Sequence, residues 1–104
     1  MSERINPARG EAALLIGGEL RRLRPSFAAL VAAEEELGPL FALVERAAEG
    51  RLRLGEMAAL FWHCLADRDA LDREAVGAAV VEAGIAAASP VLRVLIGQIL
   101  QGRG

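Results

Sequence analysis

The chain has 104 residues, enough for one domain with a modest core and too few for two. Hydrophobic residues make up 54% of it and charged residues 25%, which excludes a disordered chain too poor in apolar side chains to offset the entropy of ordering. The net charge of -2 provides no positive field to hold a phosphate backbone, so we expect no nucleic-acid partner.

Composition also predicts where the protein works. Cys64 is the single cysteine, which excludes an internal disulfide and fits a reducing compartment. Residues 1–11 are polar and lack the apolar run of a secretory signal. The most apolar stretch, 85–100, is interrupted well short of the roughly 20 apolar residues that cross a bilayer. We therefore expect a cytoplasmic protein without a membrane-spanning segment.

The first predicted element is a β-hairpin over residues 11–24. Two short runs of alternating apolar residues meet at Gly17-Gly18, and a Gly-Gly pair can adopt the positive φ angles of a two-residue turn. The resulting register pairs Ile16 with Glu19 and places four apolar side chains on one face: Ala12, Leu14, Ile16 and Leu23. We expect that face to meet the helices, because a lone hairpin is only marginally stable in water.

Five helices are predicted behind the hairpin, because apolar residues recur at intervals of three and four between Gly and Pro residues. Their ranges are about 26–37, 39–49, 54–67, 72–83 and 89–101. We expect Ser26 and Asp72 to cap the first and fourth helices. Ser89 is expected to cap the fifth, with Pro90 at its first helical position. The predicted fold class is α+β, a single domain in which an N-terminal β-hairpin packs on a bundle of four to five short α-helices.

The densest acidic run, Glu34-Glu35-Glu36, ends the first helix, where the macrodipole disfavours negative charge. We expect two of these glutamates to be solvated and one to pair with an arginine; a partner or cation site is the alternative. Glu34 is the expected paired residue, partly buried against Arg21 or Arg24 of the hairpin. It belongs to a series at helical spacing that faces the core edge: Phe27, Leu30, Val31, Glu34 and Leu37.

The triplet Trp62-His63-Cys64 invites a metal or nucleophile interpretation, and helix geometry argues against it. Adjacent helix residues project about 100° apart, so His63 and Cys64 do not converge on one ion. We expect His63 on the polar surface of its helix and Cys64 on the apolar side as a buried, inert thiol. No catalytic, metal or cofactor-binding residue is predicted.

Six apolar side chains are the predicted partner-binding residues: Leu15, Leu20, Trp62, Val91, Val94 and Leu100. The first two leucines lie on the outer face of the hairpin, which is either partly covered or a binding surface. The three residues of the last helix surround its inward stripe, so they mark either a helix buried on all sides or a partner-binding face. The tryptophan is more simply a core-edge residue, but Trp is favoured at interface hot spots.

A pattern of side-chain sizes and turns runs from the hairpin into the first helix. It comprises Gly10-Glu11, Ala12, Leu14, Ile16, Gly17-Gly18, Leu23-Arg24-Pro25-Ser26-Phe27, Leu30, Glu35 and Leu37-Gly38, with a weaker continuation through Glu49-Gly50-Arg51-Leu52 into 57–65. In this pattern, residues 9–67 resemble the small tail assembly chaperone-like proteins of alphaproteobacterial gene transfer agents, which are phage-derived particles.

The resemblance implies a non-catalytic protein, without a cofactor, that shields the apolar tape measure protein until tail tube subunits polymerise around it. The residues alone indicate a small interaction module that meets helices through an apolar surface. The alternative is a structural tail component, a tail tube or connector subunit, which would favour a ring and a larger sheet than one hairpin supplies. An enzyme would need a constellation of polar groups that the sequence lacks. A homo-oligomer is left open.

Overall fold

The computed structural model describes residues 12–68 and 71–102, so the predicted first hairpin residue, Glu11, lies outside it. The elements are β1 (Ala12–Ile16), β2 (Glu19–Leu23), α1 (Phe27–Leu37), α2 (Leu40–Ala48), α3 (Leu54–Cys64), α4 (Arg73–Ala83) and α5 (Ile85–Gln101). The two strands form an antiparallel hairpin and the helices follow it, which confirms the predicted α+β class.

The hairpin has the predicted register, from Ala12 opposite Leu23 to Ile16 opposite Glu19. Gly17 and Gly18 adopt φ angles of 58° and 85°, a left-handed conformation that other residues rarely take. The four inner apolar side chains are buried, and β1 packs against α5 and α4. The hairpin is therefore held by its inner face, as the alternation of the sequence predicts.

The end of α3 differs from its prediction, because the helix stops at Cys64 rather than near residue 67. The next residues run beside β2 instead: Leu65 forms an antiparallel bridge with Leu23, and the Ala66 N–H donates to the Arg22 carbonyl at 3.0 Å. Continued helix would leave those strand groups without these partners, and unpaired buried backbone is costly. The segment after α3 thus covers part of the outer edge of β2.

The last helix also differs from its prediction, since α5 begins at Ile85 and contains Pro90. Gly84, at φ 95°, ends α4 by donating to the Val80 carbonyl and begins α5 directly. Ser89 is not a cap: its hydroxyl donates to the Ile85 carbonyl at 3.1 Å. Pro90, the sixth residue of α5, has no N–H to donate to the carbonyl of Ala86, and because Ala86 is exposed, water can bind that carbonyl instead.

The core surrounds α3, seven of whose eleven residues are buried. Inner residues of the hairpin, α4 and α5 complete it, with Phe61 and Leu60 fully buried at its centre. Ser26 and Asp72 cap α1 and α4 as predicted, accepting from Ala29 N and Ala75 N. No single described helix is both long and apolar enough to span a bilayer, whereas α4 and α5 together meet that length and composition across a 119° bend.

Candidate interaction surfaces

The outer face of the hairpin carries an exposed leucine pair. Leu15 and Leu20 lie opposite each other in the register and are 56% and 53% exposed. Cross-strand neighbours on one face are close enough to touch, so the two side chains form one small apolar patch. Both predicted partner-binding residues of the hairpin are therefore accessible within this chain.

An apolar groove of about 470 Å³ lies between the end of α2, the following loop and α5. Leu52, Ile85 and Leu100 are among its lining residues, and Ile85 and Leu100 are well exposed. Arg93 is the one charged side chain among the described residues that line it. We call this feature the α2/α5 groove. The sequence predicted Leu100 as a partner-binding residue but missed the groove, because its walls lie some forty residues apart along the chain.

The two valines predicted with Leu100 are less accessible. Val91 and Val94 are half-buried and pack against the core. Helix α5 contacts β1, α4 and α2, so neighbours cover much of its circumference. Packing thus accounts for part of the apolar surplus of this helix, and Leu100 is the member of the predicted trio that remains exposed.

The outer side of α1 is more apolar than predicted. Phe27 was expected to face the core edge, and this prediction is wrong, since its side chain is 85% exposed. The cause is the rotation of the helix: Ala29 and Ala33 turn toward the core, and these small side chains let α1 approach its neighbours α3 and α2 closely. Phe27, Val31 and Glu35, four residues apart, form one exposed row. We call it the α1 outer row.

Trp62 lies at the core edge with both its ring and its N–H engaged. Its Nε1 donates to the Leu71 carbonyl at 3.0 Å. The guanidinium groups of Arg68 and Arg73 lie 4.4 and 4.8 Å from a ring centroid, within cation–π range. Trp62 is half-buried and packs against the core, so contacts within the chain already use most of its surface.

His63 is buried, which contradicts its predicted place on the surface. Its Nε2 lies 2.8 Å from Glu36 Oε1, and its ring meets Trp62 edge-on at 5.1 Å. The prediction failed because α1 and α4 both pack on α3 and so cover even its polar side. A buried imidazole next to a carboxylate on another helix joins α1 to α3.

Glu36 is the glutamate of the acidic run that pairs with an arginine. Arg73 of α4 binds its second carboxylate oxygen. The Arg73 hydrogen bond, and secondly the His63 hydrogen bond, hold the pKa of Glu36 below its ordinary value of 4.5. The expectation that one glutamate of the run pairs with an arginine is confirmed, with Glu36 in place of Glu34.

Glu34 does not have the environment predicted for it. The residue is exposed, and its carboxylate accepts from the Leu40 N–H at 2.9 Å across the turn between α1 and α2. No arginine among residues 12–68 and 71–102 pairs with it, and Arg21 instead binds Glu19 at 3.0 Å. A free N–H at the start of a helix favours a carboxylate, so this local partner replaces the hairpin arginine.

Cys64 is a buried free thiol, as predicted. Burial raises its pKa to about 12, which keeps it protonated and unreactive near neutral pH. Within the described ranges, no cluster of three or more His, Cys, Asp or Glu side chains is arranged to hold a metal ion. The independence of the protein from metals stays a prediction.

A model of the family described as phage tail tube protein, GTA-gp10, matches residues 9–102. The chain belongs to this family. No curated protein and no solved structure matches it significantly. The match confirms the gene transfer agent and phage tail family expected from residues 9–67 and extends it through the C-terminal helices. The description favours a structural tail role over the chaperone role that the resemblance implied.

This GTA-gp10 family protein presents its exposed apolar side chains in separate places. The leucine pair lies on the hairpin, the α1 outer row on the first helix, and the α2/α5 groove beside the last helix. Phe41, 86% exposed on α2, stands apart from the groove lining. Larger apolar patches are typical of protein contacts, so these three places are the candidate interaction surfaces.

Proposed function

We propose that the protein is a structural component of a phage-type tail, a tube or connector subunit that joins other tail proteins through its exposed apolar surfaces. The observation that carries this proposal is the family match over residues 9–102, whose description names a tail tube protein. The proposal includes no catalytic activity, because the family is described by a structural role. Its partners are other tail proteins and further copies of the chain.

The distribution of apolar surface supports the proposal. A tail subunit needs contacts on more than one side, because each copy has neighbours within a ring or along the tail. The α1 outer row and the α2/α5 groove share no described residue, and we propose them as two such contacts. The sheet has two described strands, so helices rather than an extended sheet would supply most of the contact area.

A chaperone for the tape measure protein is the second candidate function. The observation that favours it is the α2/α5 groove, since an amphipathic helix lays its apolar face into such a groove. The two-stranded sheet favours the same candidate, because a tube or connector subunit would favour a larger sheet. The two functions differ in whether the protein remains in the finished particle.

Quantitative mass spectrometry of purified particles and of the cells that produce them tests this difference. A structural component is expected in the particles at a fixed ratio to other tail proteins. An abundant cytosolic protein measured in the same sample gives the carry-over baseline. A chain at that baseline, recovered from the cells together with the tape measure protein, would overturn the structural proposal in favour of the chaperone.

A further inference from the structure

We infer that the protein self-associates head to tail, with the α1 outer row of one copy seated in the α2/α5 groove of the next. The occupant of the groove is thus a second copy of this chain. The inference rests on the proposed structural function and deepens it by naming the partner and the two surfaces that meet.

The α1 outer row consists of exposed side chains on one side of the helix. Phe27 projects almost completely into solvent, and Val31 continues the apolar surface one turn further along the helix. Glu35, the next residue of the row, is exposed and has no hydrogen bond or ion pair within residues 12–68 and 71–102. The row therefore offers two apolar side chains followed by one unpaired negative charge.

The α2/α5 groove offers the complement. Its lining is largely apolar, from Leu52 through Met57 to Ile96, and its volume of about 470 Å³ suits side chains of a helix rather than a single methyl group. Arg93 lines it and, in the part of the chain that the structure describes, has no ion-pair partner. An apolar row with one carboxylate thus faces an apolar groove with one guanidinium, and such charge matching fixes orientation.

The two surfaces are separate, which determines the type of assembly. The groove lining comes from α2, α3, α5 and the loop after α2, and none of the described lining residues belongs to α1. Each bound pair therefore leaves one row free at one end and one groove free at the other. Such a heterologous contact closes into a ring or continues as a filament.

Sedimentation velocity of the full chain over a concentration series tests the inference. The wild type is expected to form species larger than a dimer. Phe27→Glu, which alters the row, and Leu100→Glu, which alters the groove, are each expected to leave a folded monomer, because both side chains are exposed. The matched control is Phe41→Glu, equally exposed and outside both surfaces, which is expected to assemble as the wild type does.

A mixture of Phe27→Glu and Leu100→Glu tests whether the row binds the groove directly. Phe27→Glu keeps an intact groove and Leu100→Glu an intact row, so the mixture is expected to form a 1:1 heterodimer that stops there. Glu35→Arg and Arg93→Glu are each expected to weaken association about tenfold, and the double variant to recover it. These charge variants test the same surfaces if Phe27→Glu or Leu100→Glu unfolds the chain.

Several results would overturn the inference. The first is a wild-type chain that stays monomeric. The second is a two-fold dimer that Phe27→Glu does not disrupt. The third is a monomer whose groove binds a tape measure helix instead. Failure here is distinguishable from failure of the proposed function. A monomeric chain that is nevertheless present in purified particles removes the inference alone, whereas absence from the particles removes the structural function.

Discussion

Helices α1 and α3 have the same length, eleven residues, and pack against each other, yet they differ in how much they bury. Seven residues of α3 are buried, whereas Ala33 is the single buried residue of α1, all of which the structure describes. Both sequences are rich in apolar residues, so composition does not explain the difference. The position of each helix explains the difference, because α3 lies between other elements and α1 lies outside them. We infer that α3 stabilises the fold and that the exposed side of α1 is available to bind other protein subunits.

The largest expected effect separates two phenylalanines of these helices. Phe61→Ala in α3 should lower the free energy of unfolding by about 3 to 5 kcal/mol, because it leaves a cavity at a fully buried position. Phe27→Ala in α1 should change it by less than about 0.5 kcal/mol, because the side chain is exposed. Urea denaturation measures both. An equal loss of stability in the two variants would contradict the difference in burial between α3 and α1.

A change at the end of α3 should have an intermediate effect. Cys64→Ser should destabilise the protein by roughly 1 to 3 kcal/mol, because a buried hydroxyl replaces an apolar thiol. Cys64→Ala is the control, since it removes the sulfur without adding a polar group. A serine variant that is no less stable than the alanine variant would show that the site accommodates the hydroxyl.

The contact of α1 with α3 and α4 through Glu36 should give the smallest effect, and one that depends on pH. The lowered pKa of Glu36 means that its ionised form stabilises the fold above about pH 4.5 and that this stabilisation is lost as pH falls through the lower, folded pKa. Because the carboxylate is partly exposed, Glu36→Gln should cost less than about 1 kcal/mol at neutral pH.

Urea denaturation across a pH series measures that difference. The gap in stability between wild type and Glu36→Gln should close as pH falls below 4.5, whereas Glu35→Gln, at an exposed neighbouring position, should show no gap. A Glu36 gap that stays constant down to acidic pH would mean that packing, and not the charge, supports this contact.

Features determined by neighbouring residues were predictable from the sequence. The register followed from Gly17-Gly18 and the alternation around it, and the caps at Ser26 and Asp72 depend on an amide three residues away. The burial of Cys64 followed from the apolar stripe of its own helix. In each case the residues that determine the feature lie close together in the sequence.

Features determined by distant partners were not predictable. The burial of His63 depends on α1 and α4, the end of α3 on its bridge to β2, and the exposure of Phe27 on the rotation of α1 against the core. The α2/α5 groove has walls from separate segments, so the sequence indicated Leu100 without the surface around it. Helical periodicity identifies an apolar stripe, but the number of neighbours decides which stripe is buried.

We propose that the exposed apolar surface of α1 attaches the protein to other tail subunits, while the buried residues of α3 stabilise its fold. The amount of chain in particles purified from cells that produce either Phe27→Glu or Phe41→Glu tests this division between the two helices. Both variants change an exposed phenylalanine, and both should accumulate as folded protein. Particles are expected to contain the Phe41→Glu chain at the wild-type level and little of the Phe27→Glu chain. Equal incorporation of the two variants would contradict it.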